Sequence, residues 1–284
     1  MNRRSDYLAA ATFLSPAVIA VVLLRLWPAV VAIHQSLLPP RATAYSLENY
    51  LYILNDPVFQ GALKTTVLFS ILVNPLQIGI ALGLALLMDS RLPTTGFWRT
   101  IVLLPIAIPQ SVSAVVWGIA FRPDGLLNAG LASVGLAEQR FLTSPEQALA
   151  CIIVIVSWVG IGYWMTFLIA GLQDIPRTLY EAATVDGANA WQRFRFITVP
   201  QLRRPLTFVL VADTVSNFLV FAPVQILTRG GPQGSTNLIM NEIYTRAFVA
   251  RDPGAAQAAT VMLVLVVLAV VVVQFRLMNR GYDR

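Results

Sequence analysis

Charge is scarce in this chain: Asp, Glu, Lys and Arg make up 12% of its 284 residues, about half the share of an ordinary soluble domain. A single cysteine, Cys151, leaves no internal disulfide and no cysteine cluster, and a lone histidine, His34, leaves no HExxH-type metal pair. No Gly-rich loop ends in Lys-Ser or Lys-Thr, so the chain has no phosphate loop with which to cleave ATP itself. The basic residues are dispersed rather than gathered into an aromatic-interleaved patch, so the pI near 9.9 does not point to nucleic acid. A membrane-embedded enzyme would need converging nucleophile, acid or metal groups within its apolar segments, and the sequence offers no such set. Convincing internal repeats and low-complexity linkers are also lacking.

Apolar length is what the chain has. Hydrophobic residues make up 57% of it and the mean hydropathy is +0.69. Runs over 8–32, 63–88, 98–121, 147–172, 206–227 and 255–277 each approach or exceed the roughly 20 residues that a spanning helix needs. The expectation is an all-α polytopic membrane protein of about six transmembrane helices. Pro16, Pro28, Pro75, Pro105, Pro109 and Pro223 fall inside these runs, which predicts kinked helices whose freed carbonyls find other partners. Arg3 and Arg4 before the first run could open a secretory signal. The length of that run, and the lack of a small-residue cleavage site after it, favour a retained anchor.

The arginines set an orientation. With the amino terminus inside, the inner segments carry Arg3, Arg4, Arg91, Arg99, Arg177, Arg193, Arg195, Arg203, Arg204, Arg276, Arg280 and Arg284. The outer ones carry fewer: Arg41, Lys64, Arg122, Arg140, Arg229, Arg246 and Arg251. By the positive-inside bias both termini are cytoplasmic, and so is the segment 174–200.

That segment reads as a helical hairpin. Thr178 and Glu181 have capping-box spacing, predicting a short helix from near Leu179. Gly187 can close it in a left-handed conformation. Asn189 and Gln192 open a second helix, and Pro200 is expected to break it. The first helix, about eight residues and ~12 Å long, is too short to span a bilayer and suits docking instead. Ala182 and Ala183 permit close approach, and Glu181 offers a charge to a partner arginine.

The run EAATVDGANAWQRFRFITVP resembles the EAA loop of permease subunits of binding-protein-dependent ABC importers: Glu181-Ala182-Ala183, three residues, Gly187, nine residues, Ile197, one residue, then Val199-Pro200. Val199 stands where leucine is usual, one apolar residue for another. A second stretch, Leu227-Thr228-Arg229-Gly230-Gly231-Pro232 with Thr236 and 241–248 beyond it, resembles the TGGGP pattern of carbohydrate-type permeases, with Arg229 in place of one glycine. Ile239, Ile243 and Ala247 fall on one stripe beside Tyr244 and Phe248. They predict a short amphipathic helix at the outer interface.

The resemblance covers nearly the whole chain and implies a type I ABC importer permease fold in a prokaryotic inner membrane. It also implies a second, different permease subunit, two cytoplasmic ATPase subunits that bind ATP and Mg, and an extracytoplasmic solute-binding protein. No cofactor, metal or catalytic residue is implied for this chain. ATPase docking would fall to Glu181, Ala182, Ala183, Asp186, Gly187, Ile197 and Pro200, and binding-protein contact to Gly230, Gly231 and Pro232. The solute would be an oligosaccharide, polyol, glycerol 3-phosphate or glycerophosphodiester. Val273-Gln274-Phe275-Arg276 looks most like the glycerol-phosphate branch. A channel or scaffold without ATP coupling is the alternative, and the hairpin argues against it.

For the solute path the residues leave two readings. Asp213 is the one acidic residue well inside a span, and Asn217 lies one turn on along the same face. They line a path with Trp117 and Tyr163 as stacking rings, with Trp164 a further candidate, or else they tie helices together. Arg25 can snorkel to the interface, where His34 is also expected. The simplest division is a first span and outer loop, 1–62, followed by a permease core, 63–284.

Overall fold

A computed structural model describes residues 3–39, 44–89 and 95–279. Arg41, Arg91, Arg280 and Arg284, which entered the sequence reading, lie outside those residues, as do the side chains of Arg3 and Arg4. The described secondary structure is helical with no strand. We number α1 (Ala11–Ser36), α2 (Glu48–Asn55), α3 (Pro57–Met88), α4 (Thr95–Ala107), α5 (Gln110–Ala120), α6 (Leu126–Ser133), α7 (Ala148–Gln173), α8 (Arg177–Val185), α9 (Ala190–Arg193), α10 (Arg203–Phe218), α11 (Ala222–Leu227), α12 (Ile239–Tyr244) and α13 (Pro253–Asn279).

Among the described residues, five segments are long and apolar enough to cross a bilayer: α1, α3, α7, Arg203–Leu227 and most of α13. The third expected span, 98–121, is not one straight helix. It divides into α4 and α5, which meet at 102°. Pro109 explains the break. Its ring forces Ile108 into an extended conformation (ψ 124°), so the helix ends in a 3-10 turn over Leu104–Ala107 and restarts at Gln110.

Prolines elsewhere are accommodated rather than obeyed. Pro200 does not end its helix as expected. A wide π turn, Phe194–Thr198, precedes it, and the chain stays helical through Gln201. Pro28 likewise follows a π turn at Val22–Leu26. A proline ring clashes with the carbonyl four residues back, and a five-residue turn carries that carbonyl out of the way.

The chain divides into two compact units, Met1–Pro57 with Ile243–Leu265, and Val58–Glu242 with Val266–Arg284. In the first, the Asn49 side chain donates to the carbonyls of Ser36 (2.9 Å) and Leu38 (3.2 Å), and Ser36 Oγ meets the Tyr50 hydroxyl at 2.6 Å. Arg246 forms a largely buried ion pair with Asp56, its guanidinium 5.9 Å from the centre of the Tyr52 ring. In the second unit, α3, α7 and α10 share a core that includes Ala81, Ala85, Met165, Leu168, Leu202 and Val209. Gly171 permits that packing: a Cβ there would lie 2.6 Å from the Pro205 ring, so the α7 backbone rests directly on the Pro205 ring of α10. A second cluster, including Phe69, Val73, Ile152, Val156 and Val224, closes the other end.

Candidate functional site

Between α7 and α10 the hairpin stands out into solvent. Its first helix begins at Arg177, two residues before the expected start, with Pro176 at the N-cap, so the Thr178 capping box does not form. A trans proline with φ −59° is already set for a helix entrance and nucleates the turn upstream of Thr178. The exit is as expected. Gly187 has φ +77°, the Ala188 amide donates to Ala183 O (2.8 Å), and the Gly187 amide donates to Thr184 O (3.1 Å). The second helix opens on a complete capping box: Asn189 Oδ1 accepts from the Gln192 amide (2.9 Å), and Gln192 Oε1 from the Asn189 amide (2.8 Å).

Arg193 donates to Thr184 Oγ1 at 3.0 Å, tying the two short helices together. Tyr180 OH and Thr198 Oγ1, 2.9 Å apart, tie the hairpin across itself, and Tyr180 and Ile197 pack against the α3–α7–α10 core. Glu181, Ala182, Asp186, Gly187 and Pro200 are exposed, and Ala183 is half-buried. Val185 (89% exposed), Trp191 (64%) and Phe196 (69%), which the sequence reading did not single out, also face water. Three large apolar side chains on a loop that the backbone holds rigidly make a surface suited to a partner. A cleft of about 500 Å³ opens between Leu86, Tyr180, Trp191 and Phe194.

The Gly230-Gly231-Pro232 turn is built from within. Gly230 is buried with φ +88°, and a Cβ would sit 2.9 Å from the Asn241 amide nitrogen. Thr236 Oγ1 donates to Gly231 O (2.6 Å) and meets Thr228 Oγ1 at 2.7 Å. Downstream, the Ile239 amide donates to Thr66 Oγ1 on α3 at 2.8 Å. This turn is therefore fixed to the core, with Arg229 and Gln233 exposed on its rim. The helix beyond it is α12 followed by a π turn, Thr245–Val249, with Ile239 buried and Phe248 exposed.

Asp213 and Asn217 lie at the centre of a buried polar cluster. Asp213 Oδ1 accepts from Trp164 Nε1 (2.6 Å) and from Asn217 Nδ2 (3.0 Å). Asn217 Nδ2 also reaches Asn74 Oδ1 (2.7 Å) and Gln77 Oε1 (3.3 Å) on α3. Asn74 Nδ2 donates to Ser70 Oγ (2.9 Å) and Thr214 Oγ1 (2.8 Å), Gln77 Nε2 to Ser157 Oγ (3.3 Å), and Gln274 Nε2 to Thr214 Oγ1 (2.8 Å). The Asp213 Oδ2 atom, buried, has no protein partner among the described residues.

Beside the cluster is a cleft of about 140 Å³, lined by Gln77, Gln110, Tyr163, Asp213, Ser216 and Asn217 among others. Tyr163 is on its wall, 44% exposed, and Trp164 stands behind it. Trp117 is placed elsewhere: it stacks on Phe121 (centroids 5.6 Å, planes at 30°) and meets Trp158 edge-on at 5.8 Å. Asn74, Gln77 and Gln110 escaped the sequence reading, and Gln274 entered it only as part of the 273–276 resemblance. Amides inside apolar runs were the available signal, and Asn74 and Gln77 flank Pro75 at helical spacing on one face.

Residues 76–283 match a family described as binding-protein-dependent transport system inner membrane component. The chain is 33% identical over 286 residues to the sn-glycerol-3-phosphate transport system permease protein UgpA of Agrobacterium fabrum, a match covering 98% of this chain and 96% of that one. It is 33% identical over 267 residues to the lactose transport system permease protein LacF of Rhizobium radiobacter, covering 91% and 89%. Among solved structures it superposes on a chain of a bacterial alginate ABC transporter, crystallised with an alginate pentasaccharide-bound periplasmic protein. The TM-score is 0.87 at 24% identity, over 99% and 96% of the two chains. A chain of the MetNI methionine ABC transporter gives 0.56 at 17% identity, over 82% and 97%.

Proposed function

This chain belongs to the binding-protein-dependent transport system inner membrane components, and from that membership we propose how it works: it is driven through its exposed hairpin by a separate ATPase. It is a multi-pass permease subunit with the type I ABC importer fold. The observation that carries the coupling mechanism is the hairpin itself, rigid by capping, exposed on one side and packed into the core on the other.

In our reading, α8 and α9 seat in a groove of a cytoplasmic ATPase, which holds ATP and Mg. Glu181 pairs there with a basic residue, and Val185 and Trp191 fill apolar pockets. Nucleotide-driven closure then pushes the α3–α7–α10 core between two arrangements and switches access to the cleft beside Asp213. Two ATPase copies, a second and different permease subunit, and a solute-binding protein meeting the Gly230–Pro232 rim complete the assembly. The arginine asymmetry supports both termini and the hairpin facing the cytoplasm of a prokaryotic cell. The names of the relatives support a sugar or sugar-like solute, an oligosaccharide or glycerol 3-phosphate; a glycerophosphodiester rests on the sequence resemblance alone.

Glu181→Lys tests the coupling. Glu181 is exposed and its side chain forms no hydrogen bond or ion pair among the described residues, so reversing its charge leaves the fold alone. The variant should reach the membrane in normal amount but lose ATPase copurification or solute-stimulated hydrolysis by tenfold or more. Wild-type stimulation in the purified complex would refute the docking role.

A further inference from the structure

Resting on the reading of the cleft beside Asp213 as part of the solute path, we propose that the solute this chain carries is a neutral polyhydroxylated compound, a sugar or polyol, and not a phosphate ester. The cleft is lined by three carboxamides, a carboxylate, a hydroxyl and a phenol, from Gln77, Gln110, Asn217, Asp213, Ser216 and Tyr163, and by no lysine or arginine among the described residues. Guanidinium and ammonium groups match the charge and geometry of a phosphate ester, and a side-chain phosphate site is built from them. The nearest arginines along α10, Arg203 and Arg204, are nine to ten residues from Asp213, about 15 Å along the helix axis at 1.5 Å per residue.

What the cleft offers suits hydroxyl groups, each of which both donates and accepts. Asp213 Oδ2 is a buried acceptor with no protein donor among the described residues, and a sugar hydroxyl supplies one. The side chains of Gln110, Tyr163 and Ser216 form no hydrogen bond of their own to the protein among the described residues, so each is available to the solute. Tyr163 presents an aromatic face on which the C–H side of a sugar ring can rest. At about 140 Å³ the cleft holds the volume of four or five waters, room for about one sugar ring at a time. The carboxy-terminal resemblance of 273–276 to the glycerol-phosphate branch points the other way. Gln274, in that run, bonds to Thr214 and so belongs to the support of the network, not to the cleft lining.

The test uses the complete complex in proteoliposomes with its binding protein, and measures stimulated ATP hydrolysis by maltose, lactose, sorbitol, sn-glycerol 3-phosphate and glycerophosphocholine. The expected result is stimulation by at least one neutral compound, at least tenfold above either phosphate. Stimulation by a phosphate ester equal to or above that of the best neutral compound, including the case where no neutral compound acts, overturns the assignment. With the active solute, Asp213→Asn and Ser216→Ala are then compared. Ser216→Ala removes only a hydroxyl that supports nothing else, so it reports on the cleft even if Asp213→Asn assembles poorly. A fivefold or larger rise in KM in either variant supports the cleft as path. A neutral solute with KM unchanged in both overturns the path reading itself, a failure distinct from that of the solute class.

Discussion

Replacing Gly187 with valine isolates the conformational contribution of the hairpin from every contact it makes. A Cβ at this position would meet nothing within 4 Å, so the substitution creates no clash. Its whole cost comes from holding an L residue at φ +77°, about 1–2 kcal/mol, and more for a side chain branched at Cβ. That weighs against only two backbone bonds, Ala188 N–H to Ala183 O and Gly187 N–H to Thr184 O, each contributing about 1 kcal/mol. The closed exit turn should therefore lose a factor of about 5–30 in population relative to opened forms, and α9 with Trp191 should swing away from the docking position. Solute-stimulated ATPase of the reconstituted complex should fall by a similar factor, with the protein still in the membrane. A graded series makes the reasoning refutable. Asparagine tolerates the left-handed region, so activity should run Gly187, then Gly187→Asn, then Gly187→Ala, then Gly187→Val. Equal loss in the asparagine and valine variants, or none in valine, would show that the backbone conformation is not what the glycine supplies.

Asn189→Ala should cost α9 about 0.5–2 kcal/mol through loss of the cap, read as faster hydrogen exchange at the Gln192 amide; unchanged exchange would contradict the capping box as its source of order. For topology, Val185→Cys and Gln233→Cys, each in a Cys151→Ser background, should react with an impermeant thiol reagent from opposite sides: 233 from outside intact cells, 185 only after permeabilisation. Labelling of position 185 in intact cells would overturn the orientation drawn from the arginines.

Hydropathy made the spans legible because bilayer length is a property of a segment alone. The Asn189 cap and the Gly187 exit were legible for the same reason: each is decided within four residues. Where two local signals competed, the sequence misled. Pro176 took the helix start from Thr178, and a π turn absorbed Pro200. The bend at Ile108 was implicit in Pro105 and Pro109, yet a hydropathy window over 98–121 averages across it. The polar cluster was least legible. Asp213 drew notice by its charge, while Asn74 and Gln77, neutral and some 140 residues from Asn217, acquire meaning only when α3 is laid beside α10.

That arrangement bears on how the protein is made. Inserting an aspartate at the middle of a span costs about 2.5–3.5 kcal/mol, and the Arg203–Leu227 segment, with a mean hydropathy of 1.7 against 2.8 for α13, has the least apolar surplus of the five spans to offset it. Asn74 and Gln77 on α3 and Trp164 on α7 all precede Asp213 in the chain, so each has left the ribosome before Asp213 is synthesised. The Arg203–Leu227 span is thus synthesised after the side chains that solvate Asp213 in the folded chain, an order that allows Asp213 to meet them as it enters the membrane.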